Sequence, residues 1–282
     1  MRNFIIRAIS GAIYVLLLVG CTVYSPISAF FFFSAVAAAT LWEFGTVMNK
    51  HTHISMIRPL NALAGIVLIA GVWLSTIASP QTARMFSLYG LLLIYLLISE
   101  LYRRSDTPLL NWAFSFASQL YVAIPFALLP LLSIIYDAEA DIYAYNWIYP
   151  LALFIFLWVN DSFAYMCGCT LQRYFPAKLF PRISPKKSWA GSIGGGLATL
   201  GAAVVIYYWQ PETMPIERWL GFALVVVVFG TWGDLVESLI KRHLGIKDSG
   251  NVLPGHGGML DRFDSALLAI PASVIYFLMT NS

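Results

Sequence analysis

Five acidic side chains lie in or at the ends of apolar stretches in the C-terminal half of the sequence: Asp161, Asp234, Glu237, Asp261 and Asp264. A charge at the centre of a bilayer costs about 3 kcal/mol or more, so acids in such places face a polar interior and are functional by default. Asp234, Glu237, Ser238 and Lys241 are spaced to share one face of a helix, and Asp261, Asp264 and Ser265 repeat that spacing further on. Between them runs a segment rich in cations and glycine, from Lys241-Arg242-His243 through Lys247-Asp248-Ser249-Gly250 to His256-Gly257-Gly258. Carboxylates without His or Cys partners suit a hard cation such as Mg²⁺. Lysine and arginine suit phosphates, and a Gly-rich loop entering a helix offers backbone N–H groups to an anion. Structural ion pairs between helix ends would explain one such pair, but not five carboxylates (Asp234, Glu237, Asp248, Asp261 and Asp264) with four cations in about thirty residues.

A second polar segment reads Ser184-Pro185-Lys186-Lys187-Ser188. Pro185 forces an extended approach, and Ser188 is placed to cap the helix that follows. Two lysines at a helix start are suited to a polyphosphate. Upstream, Asn160-Asp161 interrupts an apolar run, with Tyr165 one helical turn on. Glu43 and Glu100 stand apart near the ends of two earlier apolar runs, and read as snorkelling or locally paired carboxylates. Cys167 and Cys169 have no His beside them and read as buried thiols rather than metal ligands.

The elements that must position these groups are transmembrane helices. The chain has 282 residues, of which 59% are hydrophobic and 11% charged. Soluble domains carry roughly 45–50% apolar residues and about 25% charge. Disorder, collagen and coiled coil are excluded with the soluble globule. A net charge of +3 and the lack of a basic tract interleaved with aromatics speak against nucleic acid. Three cysteines do not make a disulfide scaffold.

A helix needs about 20 apolar residues to cross the hydrocarbon. Nine runs qualify: 4–24, 27–47, 60–79, 85–102, 111–136, 147–168, 188–209, 218–243 and 260–280. The expected fold is therefore all-α, a polytopic integral membrane protein. The runs are continuously apolar rather than alternating, which argues against a β-barrel. Arg2 and Arg7 precede the first run, but no Ala-x-Ala site follows it, so it reads as an uncleaved anchor.

Orientation follows from Lys and Arg. With nine spans, fourteen of them fall on one side and only Arg84 and Arg218 on the other, where Asp137, Glu139 and Asp141 also lie. The expected N-terminus is inside, and the acidic cluster lies at that inner face. The chain divides into N-terminal helices, 1–145, serving as scaffold and lipid access, and a C-terminal region, 146–282, that carries the chemistry.

Ser238-x-Ile240-Lys241-Arg242, then Lys247-Asp248-x-Gly250, then Leu253-Pro254-x-His256-Gly257-Gly258-Met259-x-Asp261-Arg262-Phe263-Asp264 resembles the signature of phosphatidate cytidylyltransferases, the CDP-diacylglycerol synthases. The Asn160-Asp161-Ser162-Phe163-Ala164-Tyr165 and Ser184-Pro185-Lys186-Lys187 stretches resemble the same family. Cys169 stands where the family commonly has a basic residue, and Ala190 where it commonly has a polar one.

The resemblance implies the reaction CTP + phosphatidate → CDP-diacylglycerol + pyrophosphate, at the cytoplasmic side of the cell membrane. The attacking phosphomonoester has a second pKa of about 6, so it is mostly dianionic at neutral pH and needs no general base. What remains is charge cancellation and in-line approach. Asp234 and Asp261 are the expected Mg²⁺ ligands, supported by Asp161 and Glu237. The resemblance also allows a second ion such as K⁺, and a homodimer. Lys186, Lys187, Lys241, Arg242 and Lys247 are expected at the CTP phosphates and pyrophosphate. Arg262 and His256 are expected at the lipid phosphate or the departing charge, with Ser184, Asp248, Gly257 and Gly258 lining the substrate site.

Two rivals remain. An ion-coupled transporter would spread its charges through the membrane depth, whereas these gather at one face. Another CTP-dependent lipid enzyme would keep the chemistry and change the lipid.

Overall fold

A computed structural model describes residues 2–137, 142–250, 252 and 257–280. Eight of its helices are long and apolar enough to cross a membrane: Pro26–His51, Arg58–Thr76, Thr82–Arg103, Pro108–Ser133, Ile148–Leu171, Trp189–Trp209, Ile216–His243 and Leu260–Thr280. A ninth, Arg2–Tyr24, contributes a shorter apolar stretch over Ile9–Tyr24. Large apolar side chains point outward all along them, such as Leu16, Leu91, Leu197, Val205 and Leu278, each more than 60% exposed. Such a surface belongs in lipid rather than water. The protein is an all-α polytopic membrane protein.

The chain forms two compact units. The first comprises Met1–Trp147 together with Ile246–Phe263. It holds α1 (Arg2–Tyr24), α2 (Pro26–His51), α3 (Arg58–Thr76), α4 (Thr82–Arg103), α5 (Pro108–Ser118) and α6 (Ile124–Ser133). Ser25 opens α2 with a capping box, its hydroxyl accepting from Ser28 N while Ser28 Oγ accepts from Ser25 N. Between α5 and α6 the backbone makes a π turn, Gln119–Ala123, just before Pro125, which has no N–H to continue an α-helical ladder. The turn brings Gln119 Nε2 to Asn61 O at 2.9 Å, while Ser118 Oγ donates to Asn61 Oδ1 at 3.2 Å, so buried amides and hydroxyls join α3 to this span. Phe126 and Phe263 pack edge to face, with ring centroids 5.3 Å apart.

The fifth apolar run does not stay helical to residue 136 as expected. Its helix ends at Ser133, and β1 (Ile134–Asp137) pairs antiparallel with β2 (Ile142–Tyr145). Ile134, Ile135 and Tyr136 are β-branched or aromatic and fit an extended ladder once the helix has stopped. Tyr145 Oη donates to Thr22 O at 2.6 Å, and burial pushes its phenol up to about 12, keeping the donor in place.

The second unit comprises Ile148–Gly245 and Asp264–Ser282. It holds α7 (Ile148–Leu171), the hairpin β3 (Lys178–Phe180) and β4 (Ser184–Ser188), α8 (Trp189–Trp209), α9 (Ile216–His243) and most of α10 (Leu260–Thr280). Its core is an aromatic stack: Phe156 against Phe222, and Phe222 against Phe277, at centroid distances of 5.4 and 5.0 Å. Small residues bring α7 and α8 together. A Cβ on Gly191 would sit 2.6 Å from Ala164 O, and one on Gly195 2.6 Å from Asn160 O. Asn160, Ala164 and Gly168 recur every fourth residue on α7, as Gly191 and Gly195 do on α8, which is the small-residue spacing of close membrane helix crossings.

Candidate functional site

In the second unit, the close α7–α8 crossing sets Asn160 and Asp161 beside the start of α8. Ser188 is the cap expected there: extended backbone, with its Oγ accepting from Gly191 N at 3.1 Å. Pairing of Lys178 with Ser188 and of Phe180 with Ser184 holds β4 extended, so Lys186 and Lys187 are delivered on a strand rather than a loose loop. From the other side, α9 presents Thr231 and Asp234. A Cβ on Gly233 would meet Asp264 O at 2.5 Å, so this glycine lets α9 and α10 touch next to Asp234.

These elements enclose a cavity of about 220 Å³, lined among others by Asn160, Asp161, Tyr165, Lys186, Lys187, Thr231 and Asp234. Lys187 Nζ lies 2.8 Å from Asp234 Oδ2, both side chains partly exposed, and Ser238 Oγ donates to Asp234 Oδ1 at 3.1 Å. Asp264, one turn into α10, lies in the electrostatic field of Asp234, Asp161 and Lys241. Its Oδ1 accepts from Ser265 N at 2.6 Å.

Of the residues expected from sequence, Asp161, Lys186, Lys187 and Asp234 thus meet at one cavity. Glu237 does not line it. Its carboxylate is wholly buried and pairs with Lys241 one turn along the same helix. Ser184 stands at the outer end of β4, and Arg242 reaches Ile183 O at 3.4 Å. Thr231 was not anticipated, although its place one turn before Asp234 is a usable signal.

In the first unit, the signature segment wraps around Asp261. Asp261 Oδ2 accepts from Ser249 N at 2.9 Å and from Gly258 N at 2.8 Å, with Ser249 Oγ also 2.9 Å away. Gly257 has φ +83°, and a Cβ there would lie 2.7 Å from Asp261 Oδ2, so only glycine lets the chain turn around the carboxylate. Lys247, Asp248 and Arg262 are exposed. His256 lies outside the described residues.

The two isolated glutamates part company. Glu100 is locally paired as expected, with Arg103 on its own helix and with Asn111 Nδ2 at 2.8 Å. Glu43 is not: its partners are Ser249, Met259 and Leu260, more than two hundred residues away. Nothing in the local sequence of α2 marks that pairing beyond an acid inside an apolar helix.

Among the described residues no three His, Cys, Asp or Glu side chains converge as a ligand set. The cavity offers two carboxylates, Asp161 and Asp234, both hard oxygen donors. Mg²⁺ is held by one or two carboxylates plus substrate phosphates and water rather than by an all-protein cage, so this donor set fits it.

Long apolar helices around a cavity of paired carboxylates and lysines define an integral membrane protein equipped for phosphate chemistry. The chain belongs to the cytidylyltransferase family, whose model matches residues 5–280. It is similar to the phosphatidate cytidylyltransferase of Staphylococcus haemolyticus, 35% identical over 228 residues, which is 79% of this chain and 80% of that one. The Staphylococcus aureus protein of the same name is 33% identical over the same share, and that of Staphylococcus epidermidis 33% identical over 83% of this chain and 84% of its own.

Proposed function

We propose that the chain transfers the cytidylyl group of CTP to phosphatidate, giving CDP-diacylglycerol and pyrophosphate for phospholipid biosynthesis. The observation that carries this reading is the cavity where Asp161 and Asp234 face Lys186 and Lys187, in a member of the cytidylyltransferase family. A phosphate oxygen of the lipid attacks the α-phosphorus of CTP. The bond to the β-phosphate oxygen breaks, and pyrophosphate leaves with that electron pair. The lipid phosphate is already mostly dianionic near neutral pH, so no side chain has to take a proton from it.

Lys186 and Lys187 bind and neutralise the triphosphate. The Lys187–Asp234 pair opens as phosphate takes the ammonium. Lys241, Arg242 and Lys247 add positive charge for the nucleotide and pyrophosphate, and Arg262 and His256 serve the lipid phosphate or the departing charge. Asp161, Asp234 and Asp261 are the residues assigned to Mg²⁺, with the buried Glu237 holding Lys241. The ion, when bound, supplies charge neutralisation between the reacting phosphates. A second ion such as K⁺ and a homodimer belong to the same reading.

We assign the catalytic machinery to 146–282 and place the N-terminus and the cavity at the cytoplasmic face. The fourteen-to-two bias of Lys and Arg and the cytosolic location of CTP support that orientation, and the lipid enters from the inner leaflet.

The test is pyrophosphate release by the purified protein in mixed micelles, with CTP, phosphatidate and Mg²⁺ omitted in turn. Release that needs all three is expected. Release with another lipid phosphate in place of phosphatidate would change the substrate, and no release with any lipid would overturn the reading.

A further inference from the structure

Glu43 lies in the C-terminal third of the apolar helix α2 and is only 5% exposed. A carboxylate buried in a membrane span is costly unless donors meet its charge. Among the described residues, the donors to Glu43 come from one segment. Ser249 Oγ and Leu260 N donate to Oε1, the latter at 3.0 Å, and Met259 N donates to Oε2 at 2.9 Å. The Met259 and Leu260 N–H groups stand at the start of α10, where no helix carbonyl is available to take them. A negative charge there is also favoured by the helix dipole.

The fit is close on every side. A Cβ on Gly250 would come within 2.7 Å of Glu43 Oε2, and one on Gly258 would overlap Glu43 Oε1 and Ser249 Oγ. A side chain at either position would push the Glu43 carboxylate out of its present place.

The same segment fixes Asp261. Ser249, held by Glu43 through its hydroxyl, donates to Asp261 Oδ2 through its backbone N–H, with its Oγ also 2.9 Å from that oxygen. Gly258, the residue before Met259, also donates its N–H to Asp261 Oδ2. Ser249 thus gives its hydroxyl proton to Glu43 and its backbone N–H to Asp261, and the Gly258 donor is one residue from a Glu43 partner.

We propose that Glu43 is a positioning residue of the cytidylyl-transfer reaction: its carboxylate clamps the signature segment at Ser249, Met259 and Leu260 and so sets the direction of the Asp261 carboxylate. The inference rests on the reaction proposed above and on the role given there to Asp261. It assigns a task in the chemistry to an N-terminal helix that carries none of the signature.

The test compares Glu43→Gln and Ser249→Ala, singly and combined, in the full-length protein in mixed micelles. Three quantities are read: turnover across CTP and Mg²⁺ titrations, the thermal midpoint, and the rate of tryptic cleavage after the exposed Lys247, with the exposed Arg173 as an internal control. Loss of charge-assisted hydrogen bonds is expected to lower kcat roughly ten- to a hundred-fold in Glu43→Gln. The half-saturating Mg²⁺ concentration should rise, and cleavage at Lys247 should accelerate while cleavage at Arg173 does not. Ser249→Ala should move the same readouts the same way by less, and the double variant should lose no more than the worse single one, because both break one network.

Unchanged CTP and Mg²⁺ half-saturation together with unchanged cleavage at Lys247 would reduce Glu43 to fold support and overturn the proposal. Additive losses would overturn it too. If the unaltered protein shows no CTP- and phosphatidate-dependent release, the reaction assignment fails instead, while the contrast between Lys247 and Arg173 still reports on the clamp.

Discussion

In the first unit Glu43 and Asp261 give their oxygens to backbone N–H groups and a serine, whereas in the second Asp234 faces a lysine ammonium and a serine at the wall of a cavity. Neutral backbone donors cannot leave, so carboxylates bound to them fix the course of the chain. A lysine partner can be exchanged: an arriving phosphate can take the ammonium and a cation the carboxylate. The Lys187–Asp234 pair is also about a quarter exposed on each side, where an ion pair contributes little to stability. Two acidic clusters that look alike in sequence are therefore held differently, one by the backbone of a loop and the other by a lysine at the wall of a cavity.

Removing the exchangeable carboxylate should have the largest effect. Asp234→Ala is expected to lower turnover about a thousand-fold, in line with the loss of a preorganised electrostatic group, with the thermal midpoint nearly unmoved. A parallel collapse of the midpoint would mean that Asp234 fixes the course of the chain, as the carboxylates bound to backbone donors do, and would erase the contrast. Next comes the helix crossing beside it. Gly233→Leu places side-chain atoms against the Asp264 and Ser265 backbone, and overpacking of this kind costs on the order of 2–3 kcal/mol. Thermal unfolding in detergent should show a clear drop, and a midpoint equal to that of the unaltered protein would show that α9 and α10 can part there without cost. The smallest effect belongs to Ser188→Ala, which removes the cap of α8 for about 1 kcal/mol. Its signature is a slightly lowered midpoint together with a raised KM for CTP, since β4 and its two lysines end at that cap. A lowered midpoint with KM unchanged would separate the cap from the lysines.

The helices, their apolar faces and the Ser188 cap were legible along the chain because each depends on residues within a few positions of one another. So did the carboxylates of α9 and the lysines before α8, since the cost of intramembrane charge and the helical period are both local properties. Two short hairpins were not anticipated: the apolar run through Ile134, Ile135 and Tyr136 satisfies a helix and a strand equally, and strand pairing at Ile134–Asp137 decided between them.

The sequence alone determined that this chain is a polytopic membrane protein whose intramembrane charges gather in the signature segment and the stretches around Asp161 and Lys186. Only the tertiary structure decided which charges meet. It paired Lys187 with Asp234, turned Glu237 toward Lys241 and away from the cavity, and gave Glu43 the serine hydroxyl and the two N–H groups of a segment 206 to 217 residues away. The reason is that backbone donors left over at a helix start carry no mark in the sequence, and the carboxylate that satisfies them is chosen by which helix packs beside that start.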